Sequence, residues 1–261
     1  MEKILFSLLF ILIFCHFAFA QSGQTENKAE AVIKRAVENL GGEKYLRATS
    51  QIGRGRYSVL RDGALVSFQS FVDVIIFPDR GRTEFKIGGA KNVQTNDGGA
   101  GWIFDGAAQV INVQSKEQIE NYKRGIRTSL DNLLRGNWRA ENAKLQYGGR
   151  RQAGLGRRND VVKLVFPDDF TVEFEFSDDG FPVKSSYKRK NADGVNIIEE
   201  DRYAQFVDVR GIKTPFIVDH FSNGAQTSRV NYESVEFNKA IPDSIFVQPK
   251  SVKELKKDLK L

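Results

Sequence analysis

The chain has 261 residues, 41% of them hydrophobic and 28% charged, with a formal net charge of +6. One cysteine and two histidines are too few for a disulfide framework or a clustered metal centre. The basic excess is mild and lacks the interleaved aromatic and basic residues of a nucleic-acid reader. Nucleic acid is therefore excluded as a partner, and an anionic membrane surface or ligand is what the charge allows.

Lys3 precedes an apolar run from Ile4 to Phe14 that only Ser7 interrupts, and Ala18-Phe19-Ala20 closes it with the small-x-small pattern a signal peptidase reads. Residues 1–20 are predicted to be a signal peptide cleaved after Ala20. Export places the mature chain in the periplasm, with an extracellular location as the alternative. The run is shorter than the roughly 20 residues a spanning helix needs, and no later stretch approaches that length. Cys15 raises a lipidation alternative, against which stands the bulky Phe14 where a lipoprotein peptidase needs a small residue. Cleavage at Ala20 would discard Cys15, His16 and five of the 20 phenylalanines, leaving no thiol chemistry. The roughly 240 residues left fit one large β domain or two small ones, and the simpler expectation is a single domain over 21–249 with a basic tail over 250–261.

Asn27 and Glu30 read as a capping box opening a helix that Gly41-Gly42 ends, with a short further turn over Glu43 to Ala48. From Gln51 to Val113 β-branched and aromatic residues predict strands, broken at Arg61-Asp62-Gly63, Pro78 to Gly81, Asn96 to Gly99 and Asp105-Gly106. Turns this short make the strands antiparallel. Ser115 and Gln118 form a second capping box, and Ile119, Tyr122, Ile126, Leu130, Leu133 and Leu134 recur at helical spacing behind it. One amphipathic helix is predicted over Ser115 to Arg135, ended by Gly136. Strands return from Lys144 to Phe237, with turns at Gly148-Gly149, Pro167 to Asp169, Asp178 to Gly180, Asn191 to Gly194, Arg210-Gly211 and Asn223-Gly224. The clearest strand is Phe170 to Phe176, where Phe170, Val172, Phe174 and Phe176 alternate with polar residues. Val252, Leu255 and Leu259 share one side of a short terminal helix.

Catalytic patterns are missing from this sequence. His220 is the one histidine after Ala20, no G-x-S-x-G elbow occurs, and the acidic pairs Asp168-Asp169 and Asp178-Asp179 sit in turn signals. Glu199-Glu200-Asp201 lies in a strand whose alternation splits it between two faces, and convergence of Glu173 with Glu199 in a cleft is what a hydrolase reading requires. Arg150, Arg151, Arg157 and Arg158 form the densest basic patch, read either as a hairpin tip or as an anion or partner contact.

The order of features in the second half is more specific. An Asp-Gly turn precedes Phe181-Pro182-Val183, then come Tyr203-Ala204-Gln205-Phe206, Val209 to Pro215, Val235 to Asn238 and Ile241-Pro242-Asp243-Ser244-Ile245-Phe246. With Leu40-Gly41-Gly42 behind the first helix, this resembles the exported proteins of the LolA/LolB-like superfamily of outer-membrane lipoprotein-sorting carriers, over roughly Asn27 to Pro249. The resemblance implies a mainly β fold, in which a curved antiparallel sheet forms an incomplete β-barrel with a helical plug. It also implies a non-enzymatic carrier that needs no cofactor or metal and holds a lipid or lipoprotein acyl chain. On that reading Phe68, Val72, Tyr122, Ile126, Leu130, Phe174 and Phe176 are the expected apolar lining. The alternative from another class is an envelope interaction or sensor module with the same fold, a filled core and envelope proteins as partners.

Overall fold

A computed structural model describes residues 25–191 and 193–255. The predicted signal peptide, the site at Ala20, Cys15 and Leu259 lie outside the described residues. Six strands form the first run, β1 (Ser50–Arg61), β2 (Ala64–Ile76), β3 (Arg80–Ile87), β4 (Ala90–Asp97), β5 (Ala100–Asp105) and β6 (Val110–Val113). The second run is β7 (Lys144–Gln152), β8 (Arg158–Val165), β9 (Thr171–Phe176), β10 (Pro182–Lys190), β11 (Asn196–Val209), β12 (Ile212–Ser222) and β13 (Ala225–Phe237). All pair antiparallel in one 13-stranded sheet, ordered β6-β5-β4-β3-β2-β1-β13-β12-β11-β10-β9-β8-β7. Each run is a meander of hairpins, and the seam between them is the β1–β13 pair, which sets Gln51 against Phe237.

The hairpins form where local chemistry permits left-handed backbone. Asp62-Gly63, Arg210-Gly211 and Asn223-Gly224 each place both turn residues at positive φ, the geometry whose twist matches the strands it joins. The pair Gly88-Gly89 does the same between β3 and β4. Gly148-Gly149 is different: it lies inside β7 as a bulge, between Tyr147 and Arg150, so the sequence expectation of a turn there is corrected. Further register shifts at Arg54/Gly55 and His220/Phe221 bend the sheet, which curves without closing because β6 and β7 remain its two edges.

Four helices complete the inner side: α1 (25–40), α2 (Glu43–Leu46), α3 (Lys116–Thr128) and α4 (Leu130–Arg135). Residue 25 is already helical, so Asn27 lies within α1 and does not cap it. Ser115 and Gln118 do form their capping box at the start of α3. The single helix expected to Arg135 is broken at Ser129, whose backbone is extended at φ −70° and ψ 148°. Its hydroxyl donates to the Ile126 carbonyl at 2.8 Å and accepts from the Asn132 N–H at 3.1 Å. The preceding Thr128 hydroxyl donates to the Gly125 carbonyl, so two side chains compete with the helix for its own backbone.

That break gives the two pieces different environments. Leu133 and Leu134 of α4 are buried with α1 residues Ala29, Ala36 and Leu40 against Val162, Leu164, Val172, Phe174 and Phe176 of β8 and β9. α3 buries only Thr128 among its own residues and lies across the open side of the sheet. On the outer side, residues 239–255 fold back over the first run. Phe246 packs on Ile52 and Val74, and Leu255 of α5 (Val252–Leu255) on Val93, Trp102 and Phe104. Trp102 Nε1 donates to the Phe246 carbonyl at 2.8 Å, and buried Arg82 donates to the Ile245 carbonyl at 2.6 Å.

Candidate functional site

The α3–α4 pair roofs a cavity of about 410 Å³ over the middle of the concave face. Leu40 and Tyr45 bound it on one side, Leu130, Asp131 and Arg135 above, and Gln51, Ile75, Tyr203, Val218, His220 and Tyr232 from the sheet below. Two clefts of about 760 and 430 Å³ flank α3, and Tyr122 and Ile126 border both. Tyr122 closes one flank by donating its hydroxyl to the Asp79 carbonyl at 3.1 Å. Gly81 makes that possible, because a Cβ there would sit 2.8 Å from the Tyr122 oxygen.

Beyond the roof the concave face continues as a floor of aromatic rings. Tyr57, Phe85, Phe71, Tyr232 and Phe216 follow one another at centroid separations of 5.7, 6.4, 5.4 and 6.4 Å, in tilted or edge-on contacts. Phe71 is buried and the others are half-buried, so the row keeps open ring surface. The Tyr232 ring lies on bare backbone, since a Cβ at Gly53 would stand 2.3 Å from its Cε1.

Asp73 shares this face with Phe71 and Ile75, by the alternation of β2. Its carboxylate accepts the Thr83 hydroxyl at 2.6 Å, and no cation pairs with it among the described residues. Burial pushes its pKa from 3.8 up to about 6, against the lowering effect of the Thr83 bond. The other acids of the face are matched. Asp131 accepts from Tyr45 and Arg135, both at 2.8 Å, and Arg135 also caps the Ala48 carbonyl and stacks on Phe77 at 3.8 Å. Asp201 hydrogen-bonds Nδ1 of His220, and Glu199 pairs with Arg189. Burial disfavours the imidazolium of His220, but the bond to Asp201 and the charges of Asp201, Asp219 and Glu199 outweigh it and raise the pKa above 6.5. Burial also raises Tyr203, whose hydroxyl lies 2.9 Å from that of Ser185.

The residues expected to line the cavity are distributed over the whole molecule. Leu130 borders the central cavity, and Tyr122 and Ile126 border its flanking clefts. Phe174 and Phe176 face inward but are 0% exposed, because α1 and α4 cover them completely. Phe68 and Val72 belong to the opposite face of β2. Phe68 is 57% exposed with Arg56 over its ring, and Val72 packs beneath Phe246 on the outer side. A one-residue change of parity separates this pair from Phe71, Asp73 and Ile75, and alternation alone does not say which face is concave. The signal for Asp73 was its place in Phe71-Val72-Asp73-Val74-Ile75-Ile76, a lone charge within an apolar strand. All four arginines of the basic patch are exposed: Arg151 pairs with Glu173 and Glu175 at 2.6 and 2.8 Å and Arg150 with Asp178, whereas Arg157 and Arg158 form no ion pair among the described residues.

The arrangement suits binding. It offers apolar rings, a few placed polar groups and shelter from water, the usual composition of a small-molecule site. Among the described residues no serine, threonine or cysteine side chain hydrogen-bonds to the His220 imidazole, and no group of three metal-ligating side chains converges. No helix of the described residues is long and apolar enough to cross a membrane.

No family model and no curated protein sequence matches the chain. Solved structures do. A LolA superfamily protein from Nitrosomonas europaea superposes with a TM-score of 0.56 at 14% identity, over 84% of this chain and 97% of the other. A DUF1329 family protein from Desulfovibrio piger gives 0.59 at 11% identity, and an outer-membrane lipoprotein-sorting protein domain from Vibrio parahaemolyticus gives 0.54 at 10%, with the same coverages. The curved, unclosed antiparallel sheet with helices on its concave side is thus the LolA-like fold.

Proposed function

We propose that the protein is a non-enzymatic carrier or binding protein of the cell envelope, working in the periplasm. Its ligand is a lipid or lipoprotein acyl chain held between the concave face and the α3–α4 roof. The observation that supports this most is the row of five rings, Tyr57 to Phe216, four of them half-buried, leading to the cavity under Leu130. Half-exposed aromatic surface on an inner face is costly to leave wet and gains by burying a chain. The LolA-like fold, shared with a LolA superfamily protein and with a domain named for outer-membrane lipoprotein sorting, agrees with such a task. Mass spectrometry of lipids extracted from the protein purified from its own periplasm tests it. A reproducible bound lipid is expected, and repeated recovery of empty protein would overturn the reading.

A sensor or interaction module is favoured by a different observation. The concave face over β8 and β9 is filled by α1 and α4, with Phe174 and Phe176 sealed, and exposed Arg157 and Arg158 stand at that end of the sheet. Envelope proteins captured through Arg157 and Arg158 by ligand-free protein would support it.

A further inference from the structure

Asp73 stands in a context that rarely holds an acid. It lies in the interior strand β2, on the inner face, between Phe71 and Ile75, and its one bond is to the neutral Thr83 hydroxyl. Every other inner-face carboxylate described above has its cation within the fold: Asp131 has Arg135, Glu199 has Arg189 and Asp201 has the imidazole of His220. An uncompensated carboxylate in a sheltered site is destabilising, and is relieved when a cation arrives. The surroundings suit one kind of cation. Tyr232 and Phe71 stand edge to face at 5.4 Å beside it, and the Tyr232 hydroxyl makes no hydrogen bond among the described residues. The half-buried Tyr232 ring next to a carboxylate attracts an ammonium group through charge and ring quadrupole together.

We propose that the groove takes an amphiphile whose polar end carries an ammonium group, seated between the Asp73 carboxylate and the Tyr232 ring, with its acyl chain along the aromatic floor. This rests on the carrier reading and names its ligand class. The floor crosses five strands, with Asp73 on the second and Tyr232 on the fourth, so the chain leaves the ammonium site toward one end of the row. On arrival the cation exchanges water for the carboxylate and the Tyr232 ring face, and the chain covers the half-exposed rings at that end of the row.

Isothermal titration of protein purified from the periplasm, with three amphiphiles sharing a twelve-carbon chain and used below their micelle concentrations, tests this. The probes are dodecyltrimethylammonium, uncharged dodecyl maltoside and dodecyl sulfate. The ammonium probe is expected to bind about tenfold more tightly than the maltoside. Asp73→Asn should remove that preference while maltoside still binds, its far-UV circular dichroism showing that the variant is folded, and Glu38→Gln, exposed on α1, should keep the preference. Equal binding of the three probes, tighter binding of the sulfate, or a preference that survives Asp73→Asn would overturn the ammonium site and leave the carrier standing. Binding of none would remove the carrier reading and this proposal with it.

Discussion

Replacing Asp73 by asparagine should make the protein more stable, and the gain should depend on pH in a defined way. Burial raises the carboxyl from 3.8 to about 6, so the native state penalises the charged form. At 1.36 kcal/mol per pKa unit that rise is worth about 3 kcal/mol. Asp73 retains some contact with water, so the measurable effect is about 1–2 kcal/mol, with 3 as a ceiling. The sign follows from which state holds the proton. Between 3.8 and about 6 the folded protein binds it and the unfolded chain does not, so stability from this group rises as pH falls through that window. Above about 6 the penalty is complete, and below 3.8 it is gone. Asparagine keeps an oxygen for the Thr83 hydroxyl and carries no charge. Urea unfolding of both forms between about pH 4 and pH 8, followed by the fluorescence of buried Trp102 and Trp138, gives the difference directly. A variant more stable at pH 8 and equal at pH 4 is expected. A difference that does not change with pH, or an asparagine form less stable at pH 8, would refute the argument that an uncompensated charge resides there.

Three further outcomes follow from the packing and the titrating groups. Phe174→Ala empties a site with no exposure beneath α1 and α4 and should cost about 3–5 kcal/mol, a fall of roughly 10 °C or more in Tm by calorimetry. Ser129→Ala removes the bonds to Ile126 and Asn132 and should lower stability by about 1 kcal/mol in denaturant melts, with α3 and α4 trending toward one continuous helix in circular dichroism. His220 has its pKa raised in the fold, so its stabilising contribution is complete below about 6.5 and is lost as pH rises through the raised value. His220→Gln should therefore be most destabilising near pH 5.5 and least near pH 9, and the reverse trend in pH-resolved melts would contradict the Asp201 pairing.

What could be read from the residues was whatever is decided locally. Asp62-Gly63 and Asn223-Gly224 determine their own backbone, and so the hairpins and the antiparallel sheet were legible. The box of Ser115 and Gln118 was legible for the same reason. Gly148-Gly149 shows the limit, because paired glycines serve a bulge as well as a turn, and the partner strand β8 decides between them. The site was less accessible. Val72 and Asp73 are adjacent and point to opposite faces, and the choice of concave face is made by where α3 and α4 settle, at a distance of more than forty residues. Phe174 and Phe176 were assigned to the inner face, but nothing in their spacing told that α1 would fill the room in front of them.

The seam between β1 and β13 bears on how the chain reaches this state. Residues 50 to 113 can pair among themselves as they emerge, hairpin by hairpin, yet the open flank of β1 finds its partner only when residues 225 to 237 exist. The apolar outer side of the first run, with Trp102 and Phe104, waits longer still, for Phe246 and Leu255. Half of the sheet thus stands for most of synthesis with one bare edge and one bare side, the condition in which strands join the wrong neighbours. Non-local closure of this kind is slow. Residues 225–255 act, in effect, as the clasp of the fold, and loss of that segment should be felt first as aggregation and only then as lost binding.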